Sequence, residues 1–263
     1  MKRVLNILFW IAVIAYYFLS MGFVSEKRHE QVCTSVKVTV VDSALSRFVT
    51  ADDILKVVDN RSQKITGVLF DSINAPKIER RLYEFAPIRR AIIYKTIDGE
   101  VHIDVIQRTP VVRVINRYGE SFYFDDHGDL LKHSSRYYAY VLVANGNINL
   151  RPDQKDYNVF TVDVAKGKRN IMQELFSLAK YINADKFWKA QIQQIYVNDD
   201  GDFELIPMVG AHVIIFGTFD KHEAKFSKLE SFYRNGLNVK GWNSYDLINL
   251  KYDGQIIGTK NNK

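Results

Sequence analysis

The sequence predicts an α+β protein with one apolar helix at its N-terminus, a β-α-α-β-β unit after it, and a β-rich C-terminal region with two helices. Three observations carry this. An uncharged apolar run covers residues 4–24. Residues 36–107 alternate between strand and helix periodicity. After Arg108-Thr109-Pro110 the chain turns into short strands punctuated by turn residues. The 263 residues are 47% hydrophobic and 25% charged, which places the chain among globular rather than disordered proteins and suits two modest domains.

The first element is "VLNILFWIAVIAYYFLSMGFV", preceded by Met1-Lys2-Arg3. A helix of that length, at about 1.5 Å per residue, crosses a hydrocarbon core of roughly 30 Å. A secretory signal would have a shorter apolar run and a small-x-small cleavage site. Gln31-Val32 before Cys33 do not fit a lipoprotein signal. Residues 1–3 are therefore expected to be a short cytoplasmic tail, 4–24 a transmembrane anchor and 25–35 a tether. The bulk is expected on the periplasmic side of a bacterial inner membrane. Lys2 and Arg3 on one flank face Lys27 and Arg28 on the other, so charge alone does not orient the segment.

In "VKVTVV", residues 36–41, Val36, Val38 and Val40 share one face of a strand. Thr50 with Asp53 three residues on reads as a capping box, and Ile54, Val57 and Val58 form the stripe of the helix that follows. Asn74-Ala75-Pro76 opens a second helix carrying Ile78 and Leu82, which ends before Pro87. "RRAIIYKTIDGEVHIDVIQR" reads as a hairpin with a two-residue turn at Asp98-Gly99. Proline offers no N–H to a ladder, so Pro110, with Arg108, marks the seam at which one sheet ends and another begins.

Beyond the seam, "VVRVI", "SFYFD" and "DLLKH" are short strands, with a helix at 168–183 carrying Ile171, Leu175, Leu178, Ala179 and Ile182. Strands follow at 191–197, 202–206 and 211–216. A helix at 220–234 presents Phe226, Leu229, Phe232 and Tyr233. The last strands are 246–252 and 255–258 across Asp253-Gly254, and 259–263 reads as a frayed tail.

Candidate chemistry is sparse. The net charge of +6 is spread along the chain and mixed with acids, which argues against a nucleic-acid surface. Asp125, Asp126, His127, Asp129 and His133 have neither EF-hand nor His-Glu-x-x-His spacing, and Asp-His-Gly-Asp is turn chemistry. Ser121 lacks the second glycine of a nucleophile elbow, and no phosphate loop occurs. A single cysteine, Cys33, excludes a disulfide framework. The aromatics Phe122, Tyr123, Phe124, Tyr137, Tyr138 and Tyr140 read first as core and cross-strand pairs, second as a peptide or glycan surface. The expectation is a protein without catalysis, metal or cofactor.

Taken together, these segments resemble the FtsQ/DivIB family of bacterial cell-division proteins. "FVTADDIL" is similar to that family's entry to the first helix of a POTRA domain. "FAPIRRAIIYKTIDGEVHIDVIQRTPVVRV" is similar to its hairpin and the E-R-x-P segment after it, with Gln107 in place of the acid and Arg113 where a small residue is common. "FYFDDHGDLL" resembles a V-D-x-x-G-x-x-F segment. "VIIFGTFDKHEAKFSKLESFY" resembles a strand-to-helix passage with Gly217 at the turn and Lys225, Lys228 and Leu229 on the helix. "INLKYDGQIIG" resembles the closing I-D-L-R-Y-x-x-G segment, with Asn249 for Asp and Lys251 for Arg.

The resemblance implies a POTRA-like domain over 36–107 and an FtsQ-type β domain over 108–258. It implies a divisome scaffold at the septum that binds an FtsB-like and FtsL-like pair at a C-terminal β edge, through Asn249, Lys251, Tyr252, Asp253, Gly254 and Ile256. It further implies that the POTRA domain serves an FtsK-like protein. A terminal strand with unpaired N–H and C=O groups has the physical means to accept another strand, although Lys251 and Asp253 are also charges that blunt edges. The alternative is a POTRA-bearing component of protein secretion or outer-membrane assembly, which would be expected to repeat the unit or carry a barrel. An anchored periplasmic hydrolase would need a nucleophile and base that these residues do not bring together.

Overall fold

The computed structural model describes residues 2–29, 31–41, 49–59, 64–133, 138–154, 156–162, 164–165 and 167–261, with side chains in the first helix over 6–19. Tyr137, Phe48 and residues 262–263 lie outside these. The chain divides into two compact units between Gln107 and Arg108.

Helix α1 runs from Lys2 to His29, and its apolar side chains from Ile7 to Leu19 are exposed almost throughout. Among the described residues no helix is long and apolar enough to cross a membrane. The expected span over 4–24 falls partly on side chains outside the description.

The described residues of the rest of unit 1 form a three-stranded sheet in the order β1-β3-β2, from Ser35–Val40 (β1), Ile88–Lys95 (β2) and Glu100–Gln107 (β3). Strand β1 is parallel to β3 and β2 antiparallel to it. Helices α2 (Ala51–Val58) and α3 (Ala75–Glu84) supply Ile54, Val58, Ile78 and Leu82 to the core, against Val101, Ile103 and Val105 of β3. The capping box at Thr50 and Asp53 forms on both sides, and Asn74 Oδ1 accepts the Lys77 N–H to cap α3. Gln107 is buried and its Oε1 accepts the Val49 N–H, which ties the end of β3 to the entry of α2.

Two expectations for this unit are corrected. The hairpin turn has three residues, not two: Gly99 N–H donates to Thr96 O and Thr96 N–H to Glu100 O. Gly99, at φ +80°, takes the left-handed position that a three-residue loop requires. The tether expected over 25–35 is bonded into the unit from Gln31 onward, because 31–34 hydrogen-bond to 67–70 and to 97–99.

Among the described residues, unit 2 is built on a nine-stranded sheet in the order β12-β11-β10-β9-β8-β7-β4-β5-β6. Its strands are Pro110–Ile115 (β4), Ser121–Asp125 (β5), Leu130–Lys132 (β6), Leu142–Gly146 (β7), Ile192–Val197 (β8), Phe203–Pro207 (β9), Val213–Gly217 (β10), Tyr245–Asn249 (β11) and Ile257–Lys260 (β12). Neighbours pair antiparallel except β4 with β7, β7 with β8, and β10 with β11, which are parallel. Helices α4 (Ile171–Ala184) and α6 (His222–Phe232) cover one face. Leu175, Phe176, Ile182, Phe226 and Leu229 bury against Val112, Phe124, Ala144, Ile195, Phe216 and Ile248. A third helix, α5 (Lys186–Gln191), follows α4 directly because Asp185 caps it, with Oδ1 accepting from Phe187 and Trp188.

The physical limits of the other elements are equally local. Asn170 Oδ1 accepts the Gln173 N–H, so α4 begins at Ile171 rather than 168. Asn249 Oδ1 accepts the Lys251 N–H, and this side-chain turn ends β11 short of the expected 252. The tail expected to fray from 259 instead continues β12 to Lys260, and the Asn261 N–H donates to Ser244 O. Phe122, Tyr123 and Phe124 are fully buried, whereas Tyr138 and Tyr140 are exposed.

At the seam, Arg108 Nη1 donates to the buried Asp125 at 3.3 Å and lies 3.8 Å from Asp129. Asp125 Oδ1 also accepts the N–H groups of His127 and Asp129. The acidic cluster at 125–129 is thus a turn fastened by an arginine, and no group of metal-ligand type forms among the described residues. Pro110 is buried at the start of β4, opposite Asp125.

Candidate partner-binding edge

Strand β12 is the outermost member of its sheet and hydrogen-bonds to β11 alone among the described strands. Its register places Ile257 opposite Asn249, Gly258 opposite Ile248, Thr259 opposite Leu247 and Lys260 opposite Tyr245. The Asn261 N–H points inward to Ser244. Backbone groups alternate sides along a strand, so Thr259 and Ile257 also face β11, and the N–H and C=O of Gly258 and Lys260 face out. Gly258 is required by packing: a Cβ there would lie 2.7 Å from the ring of Tyr245, which covers the glycine from β11.

The expected site residues lie beside this edge rather than on it. Asn249 closes β11, paired with Ile215 on one side and Ile257 on the other. Lys251, Tyr252, Asp253 and Gly254 form the connection between β11 and β12, and Ile256 packs partly buried against the core. Most of these residues fasten the hairpin to the body of the unit. Lys251 Nζ reaches Asp202 Oδ2 at 2.7 Å, with its stem over Gly217, where a Cβ would meet Lys251 Cγ at 2.9 Å. Lys228 Nζ, from α6, donates to Tyr252 O at 2.7 Å and to Gln255 O at 3.3 Å. Lys221 Nζ pairs with Asp253 at 2.5 Å across the surface.

Asp202 is the hub of this arrangement. It sits in the β8–β9 turn, its N–H bonded to Asn198 Oδ1, and its second oxygen lies 3.4 Å from Arg169 Nη1. Arg169 in turn holds Glu174 at 2.6 Å. The bond to Asp202 holds the Lys251 ammonium above the ordinary lysine range, and the Lys221 bond holds the Asp253 carboxyl below the ordinary aspartate range. Lys225 is nearly buried, donates to Thr218 O at 2.7 Å and lies 4.8 Å over the Phe216 ring; burial lowers its pKa. It braces the β10–α6 turn that carries Lys221 and leads into the helix that carries Lys228. Cys33 is buried in unit 1, its thiol bonded to Ser35 O and its pKa raised by burial, unlike an activated nucleophile.

Residues 109–259 match the family described as FtsQ/DivIB, C-terminal related. The chain belongs to the FtsQ/DivIB family. Residues 31–106 match the POTRA-like domain, in accord with the β-α-α-β-β order of unit 1. No curated protein matches the chain. FtsQ/DivIB proteins are membrane-associated, non-enzymatic proteins of cell division.

Sequence reasoning missed Asp202, Thr259 and Lys260. Asp202 gives no signal in isolation, since Asp-Asp-Gly-Asp at 199–202 reads only as a turn, and its partners are 33 and 49 residues away.

Proposed function

We propose that this protein is a single-pass inner-membrane scaffold of the divisome that binds an FtsB–FtsL-like complex by adding a partner strand to β12. Helix α1 serves as the anchor, its N-terminus cytoplasmic, with both units periplasmic and enriched at the septum. The observation that carries the reading is the outward-facing backbone of Gly258 and Lys260 on a strand whose connection to β11 is fastened by Lys228 and Lys251. A rigid edge loses little conformational entropy on pairing, which favours strand addition. No turnover is expected of it. The POTRA-like unit, with β2 at the edge of its own sheet, would serve an FtsK-like partner.

The test is capture of FtsB- and FtsL-like proteins from membranes by the full chain and by Lys260→Pro. Proline at 260 removes one outward N–H and spares the ladder to β11. Loss of capture with an unchanged melting temperature is the expected result. Undiminished capture by Lys260→Pro would refute strand addition at this edge.

A further inference from the structure

We propose that the end of unit 1 from which α1 emerges is a seat for the bilayer interface and takes anionic lipid headgroups. The inference rests on the reading of α1 as the anchor. Three segments converge at this end. Phe70 N–H donates to Gln31 O at 2.8 Å, Cys33 N–H to Val68 O at 2.9 Å, and Thr34 N–H to Gly99 O at 2.9 Å; Gln31 Nε2 donates to Ile97 O at 2.8 Å. Val32 and Leu69 form an antiparallel bridge.

Each segment carries an exposed apolar side chain: Val32 is 44% exposed, Leu69 50% and Ile97 85%. Nothing in a water-soluble hairpin calls for an isoleucine at its tip, whereas apolar side chains at the headgroup boundary are what interfacial binding uses. Beside them, with Val68 in its wall, lies a groove of about 480 Å³ floored by Ile65, Ile73 and Ile78. Lys64, Lys77 and Arg81 line it, and no carboxylate does among the described residues. The ammonium groups of Lys64 and Lys77 make no ion pair among the described residues.

Connectivity selects a membrane over an acidic peptide. Helix α1 ends at His29, and a residue of chain spans at most about 3.6 Å, so Gln31 lies within roughly 8 Å of the helix end. If α1 spans the bilayer, the apolar rim and the basic groove meet its surface. The unit then rests on the membrane rather than swinging from a tether.

The test uses the full chain in nanodiscs of phosphatidylcholine, with and without phosphatidylglycerol. Buried Cys33 stays native, and a nitroxide is placed at Ile97→Cys, at Tyr83→Cys near the C-terminal end of α3, or at Ile14→Cys in α1. Accessibility to oxygen against a water-soluble nickel chelate reports depth. With phosphatidylglycerol present, the label at 97 should become oxygen-accessible while that at 83 stays in water. Lys64→Ala with Lys77→Ala should lower the docked-to-free ratio about thirtyfold, at about 1 kcal/mol per surface lysine. A label at 14 in lipid with that at 97 in water in both discs would overturn the seat alone. Equal docking without phosphatidylglycerol, indifferent to the lysines, would overturn the headgroup assignment. A label at 14 in water would remove the anchor and the seat with it.

Discussion

Lys251→Met removes the ammonium that links the terminal hairpin to Asp202 while retaining an apolar stem to lie over Gly217. The Asp202 side chain is 11% exposed and that of Lys251 47%. The pair therefore falls between an exposed ion pair, worth about 0.2–1 kcal/mol, and a buried one, whose disruption costs about 3–5 kcal/mol. Asp202 keeps Arg169, so its charge is not stranded. A loss of about 1–2 kcal/mol follows, felt mainly where the hairpin joins the sheet, and corresponds to a fivefold to thirtyfold rise in opening. Native-state hydrogen exchange of the full chain reads this directly. Amides of β11 and β12 should exchange faster by that factor, those of β7 and β8 should not, and Lys251→Arg should restore protection. The gain in exchange should shrink at high salt, because the wild-type pair is screened there. Unchanged exchange in β12, or an equal increase across all of unit 2, would refute the view that Lys251 acts as a local fastener.

Other consequences can be checked separately. Arg108→Met leaves the buried Asp125 carboxylate with its backbone donors but without the guanidinium, and should lower the stability of the full chain by about 2–4 kcal/mol in chemical denaturation. His212 is buried with Nε2 3.0 Å from the Tyr233 hydroxyl, and burial holds its pKa below the ordinary histidine value. A basic group whose folded pKa is lowered stabilises the fold above its unfolded pKa, near 6.5, and that contribution is lost as pH falls through the folded value. The melting temperature should thus drop on acidification below pH ~6.5, and His212→Gln should flatten that part of the profile.

Much of the fold is written in local patterns. Thr50 with Asp53, and Asn74 before Pro76, announce their helices because capping is decided within three residues. The 2.0 periodicity of 101–107 survives as strict alternation of buried and half-buried positions in β3. What could not be read depends on partners far along the chain. Strand β7 at "LVANG" is short and weakly patterned, and becomes a strand only between β4 and β8. Its Gly146 is fixed by an approach from Val197 too close for any Cβ. Which of the two last strands is outermost is not legible for the same reason. "INLKY" has the stronger β pattern, but β10 and β12 occupy both of its sides. "QIIG" looks too short to matter until Thr259 and Lys260 extend it. The charges at 251 and 253 read as edge-blunting residues, and their true partners, Asp202 and Lys221, could not be guessed from spacing.

Strand β12 follows every other strand of its sheet in chain order, and β11 reaches β10 only after the α6 crossover. Among the described elements of the unit, the hairpin that bears the outward edge is therefore the last to leave the ribosome. Until Ile257 arrives, the outer side of β11 has no ladder partner and Tyr245 lacks the glycine over which it lies. A chain released before Ile257 would display a different, wetter edge, with β11 outermost in place of β12.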